Sequence, residues 1–230
     1  MLSVLKSKYM AYRHGLILVV YMIFYMRMFS WLETRRVYDF HVVHTFLDDW
    51  IPFNEVFIVP YLLWFPYVIC TVLYFIFRAK ERNEFYRLSC NLIVGMTVFL
   101  LVSWLWPNML ELRPAVFPRE NVFTDAVRWL YRTDTPTNVL PSIHVFNSLA
   151  CEIAVFTSPG LKKIKSVQAG SMILTVLIIL STMFLKQHSV VDVCLGSAMA
   201  LLGYHLFYTQ PALENTTELA MAQAGKNQRR

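Results

Sequence analysis

Two short stretches place groups that can do chemistry beside apolar runs fit for a lipid bilayer. PSIHVFNS at 141–148 sets Ser142 and His144 at the start of one run, and KQHSVVD at 186–192 sets Lys186, His188 and Asp192 between two others. Pro141 suits the first turn of a helix, Ser142 can cap it or donate to an anion, and the free backbone N–H groups there favour negative charge. His188 and Asp192 are four apart, so on a helix they share a face and the carboxylate can hold the imidazole in one tautomer. The other ring nitrogen is then free to attack or to accept a proton. A third polar stretch, ELRPAVFPRE, carries Arg113. Each piece alone has a structural alternative: a helix cap, a solvated histidine, an ion pair. Together, two histidines, a carboxylate, a serine at a helix N-terminus and two cations describe an oxyanion site with a nucleophile and a general acid.

These residues meet only if the chain brings three distant segments to one surface. Hydrophobic residues make up 57% of the 230 and charged residues 16%, the wrong balance for a water-facing exterior. Runs at roughly 15–32, 56–77, 89–107, 142–158, 170–186 and 189–208 are read as crossing about 30 Å of hydrocarbon at about 1.5 Å per residue. The expected fold is all-α: a polytopic membrane protein with six transmembrane helices in a bundle over 1–208, followed by a cytoplasmic tail over 209–230. The first run follows Lys6, Lys8 and Arg13 without a small-residue cleavage site, so it is read as an anchor rather than a removed leader.

Lys and Arg set the orientation. Lys6, Lys8 and Arg13, then Arg78, Lys80, Arg82 and Arg87, then GLKKIK, then Lys226, Arg229 and Arg230 all fall on one side. The other side carries fewer, so both termini are expected in the cytoplasm and the loops after helices one, three and five outside. The three polar stretches share that outer face. The net charge of +6 is dispersed over short loops, which argues against a nucleic-acid partner. The four cysteines lack metal-type spacing and read as small buried hydrophobes. Adjacent Asp48 and Asp49 read as part of a solvated loop. FTDAVRWLYR has helical spacing of Phe123, Val127, Leu130 and Tyr131 and is placed along the interface. Glu152 shares a face of the fourth helix with His144 and Ser148, deeper in the bilayer, as a bonded core carboxyl or an influence on the approach to the site. Nothing in the sequence sets an oligomeric state.

PSIH, and the spacing of Ser181, His188 and Asp192, resemble the second and third signatures of the type 2 phosphatidic acid phosphatase superfamily, PSGH and SRxxxxxHxxxD. Arg113-Pro114 resembles the end of the first, KxxxxxxRP. The likeness covers about 89–208. The chain departs from the pattern at Trp106 in place of the lysine, Ile143 in place of the glycine and Thr182 in place of the arginine. Lys186, one helical turn beyond Thr182, is read as a substitute cation. The resemblance implies that His188 attacks phosphorus and forms a phosphohistidine, that Asp192 orients it, and that His144 protonates the leaving oxygen. Ser142, Arg113 and Lys186 would hold the phosphoryl oxygens. It implies no metal or other cofactor, a lipid phosphate as substrate and membrane lipids as surroundings. Hydrolysis, transfer to an alcohol as in inositol phosphorylceramide and sphingomyelin synthases, and a non-catalytic protein of the same fold are the readings it leaves.

Overall fold

The computed structural model describes residues 12–209; Lys6, Lys8 and the expected tail beyond Thr209 lie outside the described residues. Helices dominate. In chain order they are α1 (Leu16–Thr34), a short α2 (Phe46–Trp50), α3 (Ile58–Phe77), α4 (Arg82–Leu105), α5 (Val122–Thr133), α6 (Ile143–Thr157), α7 (Lys165–Phe184) and α8 (Val190–Tyr204). With their flanking turns, α1, α3, α4, α7 and α8 form five helices long and apolar enough to cross a membrane. Their outward faces are apolar: Val20 of α1 is 66% exposed and Leu201 of α8 67%. Such surfaces are stable against lipid tails and a liability in water.

The remaining apolar helix, α6, has only 15 residues, about 22 Å at 1.5 Å per residue, short of a full hydrocarbon thickness. It occupies the centre of the bundle, against α3, α4, α7 and α8. Because protein rather than lipid surrounds it, it can carry Asn147, Ser148 and Glu152, all buried. The Glu152 carboxyl accepts from Tyr67 Oη at 3.2 Å and from Ser171 Oγ, the bonded core carboxyl that the sequence allowed.

Two helices begin earlier than expected from hydropathy. α4 starts at Arg82 because Glu81 and Glu84 form a capping box and Phe85 and Leu88 are fully buried, while Arg82 faces outward. α7 likewise starts at Lys165. Close helix crossings rest on missing side chains. A Cβ on Gly95 of α4 would lie 2.0 Å from Phe146 Cζ, and one on Gly196 of α8 would lie 2.7 Å from the Ser142 carbonyl oxygen. Small residues at such crossings let membrane helices approach one another.

The connections at the α6 N-terminal end are ordered. β1 (His41–Val42) pairs in parallel with β2 (Asn108–Met109), and Met109 also bridges Thr137. α5 is the helix expected over this stretch and buries Thr124, Val127 and Leu130, but Phe123, grouped with them by its spacing, is exposed along with Trp129. Its apolar face packs with Ile58 and Tyr61 of α3 and with Leu185 just past α7.

Candidate active site

The start of α6, the end of α7 and the start of α8 meet at one end of the bundle. Asn108, fully buried, prepares the first of these. Its Oδ1 accepts from the backbone N–H groups of Val139 at 2.8 Å and Leu140 at 3.0 Å, and its carbonyl accepts from Asn138 N–H at 2.8 Å. The segment leading to Ser142 is thereby held beside β2. Ser142 caps α6, its Oγ accepting from Val145 N–H at 3.4 Å, and its own N–H donates to the Asp192 carbonyl at 3.2 Å. His144 follows in the first turn, its ring between Trp64 and Tyr61 with centroids 4.4 and 4.8 Å away.

His188 is placed by two helix ends. α7 stops in a Schellman arrangement: Gln187 N–H donates to the Thr182 carbonyl at 2.9 Å and Lys186 N–H to Met183 at 2.9 Å, with Lys186 itself at φ +54°. This left-handed position normally takes glycine, so a lysine is there at a conformational cost. α8 then starts with Ser189 as its cap, and Asp192 closes the capping box by accepting from Ser189 N–H at 2.9 Å. His188 therefore precedes the helix instead of sharing a helical face with Asp192, a correction to the expected geometry. The pairing survives because the capping carboxylate, Oδ2 of Asp192, also lies 3.3 Å from His188 Nδ1. His188 Nε2 lies 3.3 Å from His144 Nδ1. A proton held on Nδ1 by Asp192 leaves Nε2 of His188 with its lone pair turned toward His144.

Both imidazoles line a cavity of about 300 Å³. Its walls are largely aromatic, with Tyr25 and Phe29 from α1, Phe65 from α3 and Trp129 from α5. Its polar end is made by Asp134, Gln187, His144 and His188. Met26, Phe65 and Trp129 line it and are also more than a third exposed, so the cavity opens through the apolar flank of the bundle.

The three groups expected to hold phosphoryl oxygens do not line this cavity. Ser142 is fully buried as a cap. The Arg113 guanidinium stacks 4.4 Å from the Tyr131 ring centroid and donates to the carbonyls of Tyr131 (3.2 Å) and Asp134 (2.8 Å) and to Gln187 Oε1 (2.6 Å). It braces the α5 end against the residue preceding His188, and burial lowers its pKa. Lys186 Nζ donates to the Asp48 carbonyl at 2.7 Å, and desolvation lowers its pKa as well. The structure brings His144, His188 and Asp192 together and places Arg113 and Lys186 in bonds that position their neighbours.

Asp48 departs from the solvated loop expected of it. It is 2% exposed, with Oδ2 accepting from Ser189 Oγ at 2.6 Å and Oδ1 from Val190 N–H at 2.8 Å. It fastens α2 to the α8 N-terminus, one residue from His188, where its charge meets unpaired helix N–H groups. Thr45-x-x-Asp48 is itself a capping box, the signal that could have found it. Asp49 is exposed and pairs with His44. Asp134 and Asn108 lie outside any recognisable motif.

The fold and site define a helical chain, with five helices long and apolar enough to cross a membrane, that carries a His–His–Asp array at the polar end of an apolar cavity. No protein-family model, curated protein or solved structure matches it.

Proposed function

We propose that this chain is a membrane-embedded enzyme of lipid phosphates that works through a phosphohistidine, of the type 2 phosphatidic acid phosphatase kind its motifs resemble. The observation that carries the reading is the direct apposition of His188 Nε2 to His144 Nδ1, with Asp192 behind His188, at the end of a cavity open to the apolar flank. A phosphoryl group entering between the imidazoles replaces their mutual hydrogen bond. His188 Nε2 then forms a bond to phosphorus as the bond to the leaving oxygen breaks, and His144 gives that oxygen its proton. Asp192 stabilises the charge that develops on the His188 ring. In the second half, a hydroxyl attacks phosphorus, its proton passes to His144, and the P–N bond breaks. The aromatic walls favour a lipid alcohol as acceptor over water, which makes phosphotransfer the closest variant of this reading.

Six spans, cytoplasmic termini and an extracytoplasmic site belong to the same proposal. Cysteines placed at Val116 and Lys163, both exposed, in a background lacking the native four should respectively react with and resist an impermeant thiol reagent applied outside intact cells. The reverse pattern inverts the orientation. A non-catalytic role is the second reading, favoured by the structural engagement of Arg113 and Lys186. Purified protein incubated with lipid phosphates, with and without diacylglycerol-type acceptors, separates the three. Free phosphate marks hydrolysis, a new phospholipid marks transfer, and an unchanged lipid pool supports the non-catalytic reading.

A further inference from the structure

The segment that clamps the turn bearing His188 also presents an uncovered aromatic face. Lys186 Nζ donates to the Asp48 carbonyl at 2.7 Å, and Ser189 Oγ and Val190 N–H donate to the Asp48 carboxylate at 2.6 and 2.8 Å. Asn54 N–H adds a bond to the Phe184 carbonyl at 3.0 Å. These contacts bracket His188 on both sides. Ser189 in turn gives its N–H to Asp192 Oδ2, the atom beside His188 Nδ1. If α2 left this position, buried donors next to His188 would lose their partner. The opposite side of α2 has no cover: Phe46 and Trp50, one turn apart, are 66% and 78% exposed, with ring centroids 6.2 Å apart and edge to face. Asp49 pairs with His44 at 2.9 Å, both exposed, and gives the helix a polar edge. Its bonds set α2 at the level where the α7 span ends and the α8 span begins. Trp104 and Trp106, where α4 ends at the same end of the bundle, are exposed as well. Aromatic rings with a polar edge, at the ends of spans, suit the headgroup layer of a bilayer.

We propose that α2 is an interfacial anchor: Phe46 and Trp50 insert among lipid headgroups, and Asp48 carries that attachment to His188 as a positioning residue. Residues 37–54 hold no lysine or arginine, so the attachment is made by aromatic surface and needs no anionic lipid. The anchor stands on the face of α2 itself; its effect on rate rests on the phosphohistidine reading above. With α2 seated, Asp48 keeps the Ser189 hydroxyl and the Val190 N–H bonded, and the first turn of α8 holds Asp192 against the His188 ring. With α2 released, that turn loosens and the imidazole loses its fixed orientation.

The test uses the full chain in phosphatidylcholine vesicles. An environment-sensitive fluorophore on Leu47→Cys, in a background lacking the native four cysteines, keeps both aromatic rings of α2. It should be quenched by a lipid spin-labelled near its headgroup and shielded from aqueous iodide. Quenching by iodide alone overturns the anchor. Self-quenching that rises with the protein-to-lipid ratio assigns the face to a second copy of the chain and overturns it too. The link to His188 is read in the double variant Phe46→Ser, Trp50→Ser. Carbethoxylation of His188 by diethyl pyrocarbonate, mapped on its peptide, should speed up by about tenfold or more, the scale of one lost buried hydrogen-bond partner, and phosphoenzyme formation should slow by a similar factor. Asp48→Ala should do the same, and Asp48→Asn, which keeps an acceptor and a donor for Val190 and Ser189, should recover most of the rate. Unchanged His188 reactivity in the double variant overturns the link, whatever happens to the rate. Wild-type protein without a phosphoenzyme overturns the phosphohistidine reading alone, because quenching and carbethoxylation still decide the anchor and the link. If Asp48→Ala fails to fold, the double variant decides.

Discussion

Replacing His188 with alanine should abolish turnover, while His144→Ala should retain phosphoenzyme formation with substrates whose leaving groups need no proton. The two imidazoles are in contact, yet their roles differ because, among the described residues, a carboxylate stands behind His188 and none behind His144. Loss of the nucleophile removes the covalent route altogether. Loss of the acid removes leaving-group protonation, a factor of about 10²–10⁴ for natural substrates, and a lipid analogue with an acidic leaving alcohol should recover most of it. Asp192→Asn should fall between them and also lower stability, since the same carboxylate closes the α8 capping box. Steady-state rates and thermal unfolding in detergent separate these contributions. Equal losses for His144→Ala on natural and activated substrates would mean that His144 is not the acid.

The second large effect is expected at Gly196, one helical turn beyond Asp192 on α8. Its added Cβ would sit 2.7 Å from the carbonyl oxygen of Ser142 and 3.3 Å from Val145 Cβ. The first contact is backbone at the start of α6, so the neighbour cannot rotate away and the helices must separate. Overpacking of this kind costs about 1–3 kcal/mol. Here it also moves the turn bearing His144 relative to the α8 start that orients His188. Gly196→Ala should therefore lower both the unfolding temperature and activity. Gly170→Ala is the control: nothing lies within 4 Å of its added methyl, and the helix should gain roughly 1 kcal/mol or less. Unchanged activity in Gly196→Ala would show that the α6–α8 crossing does not set the site geometry.

Much of this architecture was legible because hydropathy reports what meets lipid. The runs that became α1, α3 and α8 were readable to within a few residues on that basis. α4 and α7 were cut short because their first turns leave the apolar region and alternate charged with buried residues, as Arg82, Phe85 and Leu88 show. α6 gave a weaker signal because it is solvated by protein and tolerates Asn147, Ser148 and Glu152. At the site, spacing identified His144, His188 and Asp192 as partners. It did not reveal the Ser189–Asp192 capping box that sets the carboxylate beside His188. Sequence distance hid Asp48, whose role depends on α2 returning to the α8 N-terminus, and Asn108, which works through its neighbours' backbone. Lys186 was read as projecting along a continuing helix, but α7 ends at Phe184 and the left-handed turn at Lys186 redirects the side chain to Asp48.

The central claim is that His188 carries the phosphoryl group during turnover. Wild-type protein should be mixed with a lipid carrying radiolabelled phosphorus, quenched in alkali within the first turnover, digested and mapped. The account predicts an acid-labile, base-stable label on the peptide containing His188, with or without the head alcohol attached, and its absence in His188→Ala. Label trapped on any other residue, or steady turnover with no phosphoenzyme at any quench time, would contradict it.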